Sequence, residues 1–326
     1  METNFLIQTL ASIVAASSPV VLAAIGETIS EKSGVINLSL DGSIALSAMT
    51  GFAVAFTTGS VTLGFGAAMA VGALVALLIA FASITLRQEQ VAVGFVLTLL
   101  CSDLADFLGN PFVRQRGPAA AYVSIPYLST VPFLGPILFN HSLVVYLSMI
   151  SVVVAWWWIY KTQPGLKLQG VGERPESAFA RGVDVNRLRY LYTVVGGALI
   201  GLAGGAYSLS IKLGWSHRHT FGIGWIALAI VIFGGWSPWR VAAGCYLFGI
   251  LKALGSILQR NPAFAAVPTQ IFSSAPFALM IFALLLVHSE GVDRLLALLP
   301  PRVARRLDRA IRGRSPGGLG QPFVQE

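Results

Sequence analysis

Charge is what this sequence has least of. Only 11% of its 326 residues are Asp, Glu, Lys or Arg, against about a quarter in ordinary soluble domains, too few to cover a water-exposed particle of this size. Cysteine is nearly absent as well. Cys101 and Cys245 both sit inside apolar runs, which excludes a disulfide framework and leaves two buried thiols. No G-x-x-x-x-G-K-[ST] loop is present, so the chain has no phosphate cradle of this kind for ATP. The four histidines, His141, His217, His219 and His288, fall at the ends of apolar segments, and Arg218 separates the only close pair. That cation opposes metal binding, so a solvated outer loop is expected there, with no metal site and no catalytic residues anywhere in the chain. The net charge of +8 comes without the basic, aromatic-interleaved patch that reads bases, which excludes nucleic acid as a partner.

What is abundant is apolar surface. Hydrophobic residues make up 55% of the chain and the mean hydropathy is +0.74. A membrane-crossing helix takes roughly 20 apolar residues, and nine segments qualify: Phe5–Ile25, Asn37–Phe56, Leu63–Thr85, Val91–Gly109, Ser142–Tyr160, Leu191–Ile211, Ile223–Trp236, Val241–Leu258 and Thr269–His288. The seventh is short and reads either as a half-helix or as one limb of a re-entrant hairpin with the eighth. The fold expected is an all-α integral membrane protein, a polytopic bundle of about 8–9 transmembrane helices. Its 34 glycines follow no three-residue period, which suits close helix contact rather than a fibre. Gly197, Gly201 and Gly205 fall four residues apart in the sixth span, where tight helix packing is expected.

The cations record orientation. With nine spans and the amino terminus outside, Lys32, Arg87, Arg240 and the clusters Lys161–Arg189 and Arg294–Arg314 share one side, while Arg114, Arg116, Lys212, Arg218 and Arg260 lie on the other. The positive-inside rule makes the first side cytoplasmic. The amino terminus has no basic leader or small-residue cleavage site, so the first segment reads as a retained span. A permease domain over residues 1–293 and a basic cytoplasmic tail over 294–326 follow. The tail is expected to be disordered after Ser315, where Gly, Pro and Gln replace any apolar period.

Acids inside spans are functional candidates, because burying them is expensive. Asp103 and Asp106 are three apart and share a helical face; they either line a polar cavity or reach water at the outer end of their span. Asp41 follows Asn37 by four residues, so both are expected on one face, bonded to a neighbouring broken helix or in contact with a solute. In the longest inner loop, 161–189, Pro175 at a first helical turn and Gly182 as a stop specify a short helix, acidic at its start through Glu176 and basic at its end through Arg181. Such a helix either docks into a soluble partner or serves as a solvated connector.

At this loop the segment GERPESAFARGVDV resembles the G-E-N-P-x-A-A-x-x-x-G-I motif of permease subunits from bacterial ABC importers. GETISEKSGVINLSLDGSIALSAMTGF, from Gly26 to Phe52, resembles the E-R-x-G-V-x-N-I-x-x-E-G-x-M signature of the branch that carries nucleosides and simple sugars. GIGWIALAIVIFGGWSPWRVAAG, from Gly222 to Gly244, is similar to that branch's G-x-G-[FW]-x-x-I-A-V-A-[LI]-x-G motif. Within the branch the likeness is to the shorter of two permeases in purine-nucleoside importers. The resemblance implies a multi-pass subunit of the bacterial inner membrane, working with a homologous second permease, a cytosolic ATPase that holds ATP and Mg, and an extracytoplasmic substrate-binding lipoprotein. It also implies that Glu173, Arg174, Pro175, Glu176, Ala178, Arg181 and Gly182 form a coupling helix that receives the ATPase's motion. Asn37, Asp41, Phe52, Asp103, Asp106, Trp225 and Phe233 are the candidate pathway residues, aromatic rings for stacking a base and polar groups for bonding a ribose. Asp41 stands where the family usually has Glu, and Ser43 and Ile44 replace a commoner Met-containing pair, which loosens the inference to the solute. Simple sugars or a flavin are the alternatives within the class. Outside it, the alternative is a proton-coupled secondary transporter with Asp41 or Asp103 as the proton site.

Overall fold

The computed structural model describes residues 2–259, isolated positions between 268 and 300, and residues 313–323. The expected ninth span and most of the Arg294–Arg314 cluster lie outside the described residues. Seven described helices are long and apolar enough to cross a membrane. They are α1 (Glu2–Lys32), α2 (Leu40–Thr58), α3 (Val61–Ala80, continued by a wider turn to Thr85), α4 (Gln90–Gly109), α6 (Leu143–Lys161), α9 (Val185–Ala206, continued likewise to Ile211) and α11 (Pro238–Gln259). The shorter helices are α5 (Leu134–Leu138), α7 (Gln163–Glu173), α8 (Pro175–Ala180) and α10 (Ile223–Phe233). Two three-residue strands, β1 (Tyr122–Ser124) and β2 (Asn140–Ser142), pair antiparallel in the connection between α4 and α6.

Helices α1 and α9 form the middle of the bundle, with α2 and α3 against α9 and with α6, α10 and α11 against α1. Leu22, Ile25, Ile200, Ile230 and Val231 are fully buried between them. The outer helices turn large apolar side chains away from the protein: Val96, Leu99, Leu100 and Phe107 on α4, Ile150, Val153, Val154 and Trp157 on α6. Water would penalise so continuous an apolar face, whereas lipid or another apolar subunit does not.

Close approach of α3 and α9 depends on missing side chains. A Cβ on Gly72 would collide with the Gly197 carbonyl, and one on Gly201 would collide with the Ala68 carbonyl and lie 3.0 Å from the Met69 Cα. Gly205 faces the Ala68 and Phe65 side chains. One turn of α1 meets α9 in the same way, Gly26 against the Gly196 carbonyl.

Two of the boundary differences from the sequence reading bear on the site. Helix α1 continues past Ile25 to Lys32, carrying Glu27 and Glu31 into the protein rather than out of it. Helix α2 starts at Leu40 and not at Asn37, because Gly34 (φ 95°) turns the chain and the Asn37 Oδ1 accepts from the Ser39 N–H (3.2 Å) and the Ser39 Oγ–H (2.6 Å). That local side-chain turn competes with helix, so Asn37 and Asp41 do not share a helical face.

Candidate functional site

Helix α10 is a half-helix. Its 11 residues reach about 16 Å at ~1.5 Å per residue, roughly half of a ~30 Å hydrocarbon core. Its first turn lies beside the start of α2, and the Trp236 that follows it donates its indole N–H to the Glu31 carboxyl near the inner end of α1. The chain before it, residues 212–222, is not helical. It packs along the outer end of α4, with Trp215 against Gly109, the Arg114 N–H donating to the Trp215 carbonyl (3.2 Å), and His217 and Arg218 facing Asp106. Irregular backbone in a membrane protein is tolerated where protein buries it or where it borders a cavity.

Asp41 closes the junction. Its carboxylate accepts the Gly222 N–H at 3.2 Å and the Gly224 N–H at 2.8 Å, satisfying donors that open α10 and that nothing within α10 can meet. The same carboxylate lies in the first turn of α2. Two helix amino termini therefore converge on one negative charge, which their dipoles favour. Gly222 (φ 84°) supplies the left-handed turn, and a Cβ on Gly224 would collide with the Asp41 backbone. Of the two readings open for Asp41, hydrogen bonding to a neighbouring broken helix is the one the geometry displays.

Above this junction lies a cavity of about 220 Å3. Asp41, Asp103, Asp106, Thr98 and Ser102 supply its polar wall; Trp225 and Phe95, whose ring centroids are 5.4 Å apart, supply its aromatic wall. Asp103 and Asp106 thus line one cavity, and Asp106 also accepts the Arg218 backbone N–H (3.3 Å) and faces His217 Nδ1 (3.4 Å).

The remaining pathway candidates lie elsewhere. Phe52 is buried in a separate apolar cluster with Met49 and Trp215. Asn37 is buried, its backbone N–H donating to the Glu27 carboxyl (3.1 Å). Phe233 flanks Gly244 at the far end of α10. His219, expected in a solvated loop, is instead half-buried, edge-on to the Trp215 ring (4.6 Å between centroids), with its ring nitrogens 2.7 Å from the Ser216 carbonyl and 3.2 Å from Ser208 Oγ. Among the described residues no three His, Cys, Asp or Glu side chains gather as metal ligands.

At the inner face α8 runs from Pro175 to Ala180 and stops where Gly182 (φ 79°) donates to the Phe179 carbonyl (2.8 Å). Pro175 and Ala178 are buried, whereas Glu173, Arg174, Glu176 and Arg181 face outward. The proline and alanine anchor the helix; the charged residues present it.

Sequence reading missed Arg189. Placed at the inner edge of the sixth span by its charge, it is 2% exposed and donates to the Gln321 carbonyl at 3.0 Å. Residues 313–323, expected to be disordered after Ser315, lie along the inner face and bury Phe323 beside Val171, Ala178 and Val185. The signal in the sequence was faint: Leu319 and Phe323 are the apolar residues of an otherwise Gly-, Pro- and Gln-rich stretch.

Residues 9–285 match the family described as the branched-chain amino acid transport system / permease component. The chain belongs to this family. It is therefore a multi-pass membrane permease, a transport subunit rather than an enzyme. Among individual relatives, it is 31% identical over 287 residues to the nucleoside ABC transporter permease protein NupC of Lactococcus lactis, covering 85% of this chain and 90% of that one. It is 33% identical over 297 residues to the guanosine ABC transporter permease protein NupQ of Bacillus subtilis, covering 86% and 92%. It is also 38% identical over 245 residues to TsgC13 of Haloferax volcanii, named for a glucose ABC transporter permease, covering 74% of each. No solved structure matches the chain significantly.

Proposed function

We propose that this permease forms, with a homologous second permease, the membrane path of an ATP-driven importer for nucleosides. The observation that carries the solute class is the cavity between α2, α4 and α10, which gathers the Trp225 and Phe95 rings and the Asp103 and Asp106 carboxylates in one lining. A nucleobase offers a face to stack and N–H groups to donate, and a ribose adds hydroxyls. At about 220 Å3 the cavity is smaller than the ~300–1,000 Å3 of ordinary ligand sites. A facing surface on the second permease, or a shift of α10, completes it. The two relatives named for nucleosides, each matched over more than four-fifths of this chain, support the same reading.

ATP and Mg belong to a separate cytosolic ATPase, and α8 is the contact through which its motion arrives, with Glu173, Arg174, Glu176 and Arg181 presented to it and Pro175, Ala178 and Gly182 shaping it. An extracytoplasmic lipoprotein delivers the solute. For transport to follow hydrolysis, the ATPase's nucleotide states must differ in affinity for two permease conformations.

The test is reconstitution with the second permease, ATPase and lipoprotein in liposomes, following labelled guanosine and glucose. ATP-dependent guanosine uptake is expected. Glucose accumulation with nucleosides excluded moves the reading to sugars, and uptake driven by a pH gradient without any ATPase overturns it. Glu176→Lys combined with Gly182→Pro is expected to cut uptake and ATPase co-purification by about tenfold or more, since each ~1.4 kcal/mol of lost docking is a factor of ten. A double variant that keeps both refutes the coupling role of α8.

A further inference from the structure

Helix α8 has six residues and buries only Pro175 and Ala178, too little to transmit a push by itself. Residues 316–323 reach from it to the turn between α1 and α2. On the α7–α8 side, the Gly318 N–H donates to the Gly172 carbonyl (2.8 Å) and the Gly317 N–H to the Glu173 carboxylate (3.3 Å). The Phe323 ring lies 5.8 Å from that of Phe179 and is buried against Ala178. On the other side, the Gly320 N–H donates to the Gly34 carbonyl at 3.0 Å. Arg189, at the start of α9, holds the middle of the segment through the Gln321 and Gly318 carbonyls (3.0 and 3.5 Å). A guanidinium this deeply buried needs acceptors; the segment's backbone supplies two, while the Nε–H is left without one.

We propose that residues 316–323 are a strap that ties α8 to the α1–α2 turn, with Arg189 as its positioning residue, so that displacement of α8 is passed to residues 33–39 and from there to the Asp41 junction of α2 and α10. The inference rests on the permease reading above and adds to it a second route by which motion leaves α8. The turn it grips runs directly into the elements that hold the solute cavity: Asn37 is bonded to Glu27 through its backbone, and Asp41 holds the amino terminus of α10. Breaking the strap therefore leaves the ATPase turning over while less of each α8 displacement reaches the membrane path.

The experiment is done on the complete reconstituted transporter, reading ATP hydrolysis and solute uptake on the same vesicles. Three variants are compared with wild type: a chain ending at Ser315, Phe323→Ala and Arg189→Gln. Expected for each is an ATPase that still co-purifies and hydrolyses ATP, with uptake per ATP lower by about tenfold, inside the roughly 5–150-fold range of ordinary coupling energies. Phe323→Trp, which keeps a ring against Phe179, is expected to restore the ratio. Phe323→Ala leaves every backbone bond of the strap in place and carries the test if the shortened chain is not recovered from membranes. Equal losses of hydrolysis and uptake point to a merely structural segment and overturn the proposal, as does an unchanged ratio in all three variants. A short thiol cross-link between Phe179→Cys and Phe323→Cys, in a background lacking Cys101 and Cys245, is expected to leave uptake intact because strap and helix move together. Uptake lost under that cross-link overturns the proposal. Wild-type vesicles without ATP-driven uptake overturn the underlying permease reading instead, a result distinct from any change confined to the strap variants.

Discussion

Gly201→Val is expected to leave almost no correctly folded protein in the membrane. The reason is where the new atoms land: the Cβ alone collides with the Ala68 carbonyl and the Met69 backbone of α3, and valine adds two methyl groups beyond it. Overpacking against yielding side chains costs typically 1–3 kcal/mol. Here the obstacle is backbone on a helix that is itself locked, since Gly72 of α3 meets the Gly197 carbonyl one turn away. Relief requires moving α3 from α9 along their whole contact, and a loss above ~3 kcal/mol is a large share of the roughly 5–15 kcal/mol that holds a typical domain together. The check is the yield of monodisperse protein in detergent and its thermal midpoint. Gly170→Ala is the control, because a Cβ there meets nothing within 4 Å. A Gly201→Val protein as abundant and as heat-resistant as the control refutes this account of the α3–α9 interface.

The second large effect is at the junction of the half-helix. Asp41→Ala removes the acceptor from the Gly222 and Gly224 N–H groups, and each buried donor left without a partner costs about 1–3 kcal/mol. The two donors open α10, so the half-helix loses its register against α2 and the Trp225 wall of the cavity moves with it. Uptake is expected to fall by about a hundredfold, ~2.8 kcal/mol at ~1.4 per factor of ten, while ATPase binding at α8, on the inner face, persists. Asp41→Asn keeps one acceptor oxygen and is expected to lie between wild type and alanine. Full uptake in Asp41→Ala removes the junction from the mechanism. Loss of ATPase binding together with uptake shows that the change spreads beyond it.

Local signals carried much of the architecture. Runs of about 20 apolar residues mark membrane helices because lipid offers no hydrogen bonds and the backbone must bond within its own segment. Each of the seven long described helices overlaps a segment read from the sequence. The short helix from Pro175 to Gly182 was legible for a similar reason: proline at a first turn and glycine at a stop act through neighbouring bonds alone. Even the half-helix was visible as a shortfall in length.

The candidate site was legible only in part. The spacing of Asp103 and Asp106 placed them on one face, and the cavity confirms that geometry. The sequence reading placed Phe52 and Phe233 in the pathway because aromatic residues inside spans carry no mark of which neighbour they face; Phe52 fills a core cluster. The first apolar segment read from the sequence ends at Ile25, short of Glu27 and Glu31. Helix α1 continues regardless, because the Asn37 N–H and the Trp236 indole meet those carboxyls inside the protein.

The sequence by itself thus determined the membrane location, the helical character of the described spans and the short helix that opens at Pro175. Each of these depends on composition or on partners within about one helical turn. Only the tertiary structure decided that Asp41 caps α10, that Arg189 is buried under residues 316–323, and that α3 and α9 touch backbone to backbone. Those contacts join residues 132 to 183 positions apart for Arg189–Gln321 and Asp41–Gly224. A polar or small residue advertises that it needs a partner or a close neighbour, but only the packed bundle says which one it has.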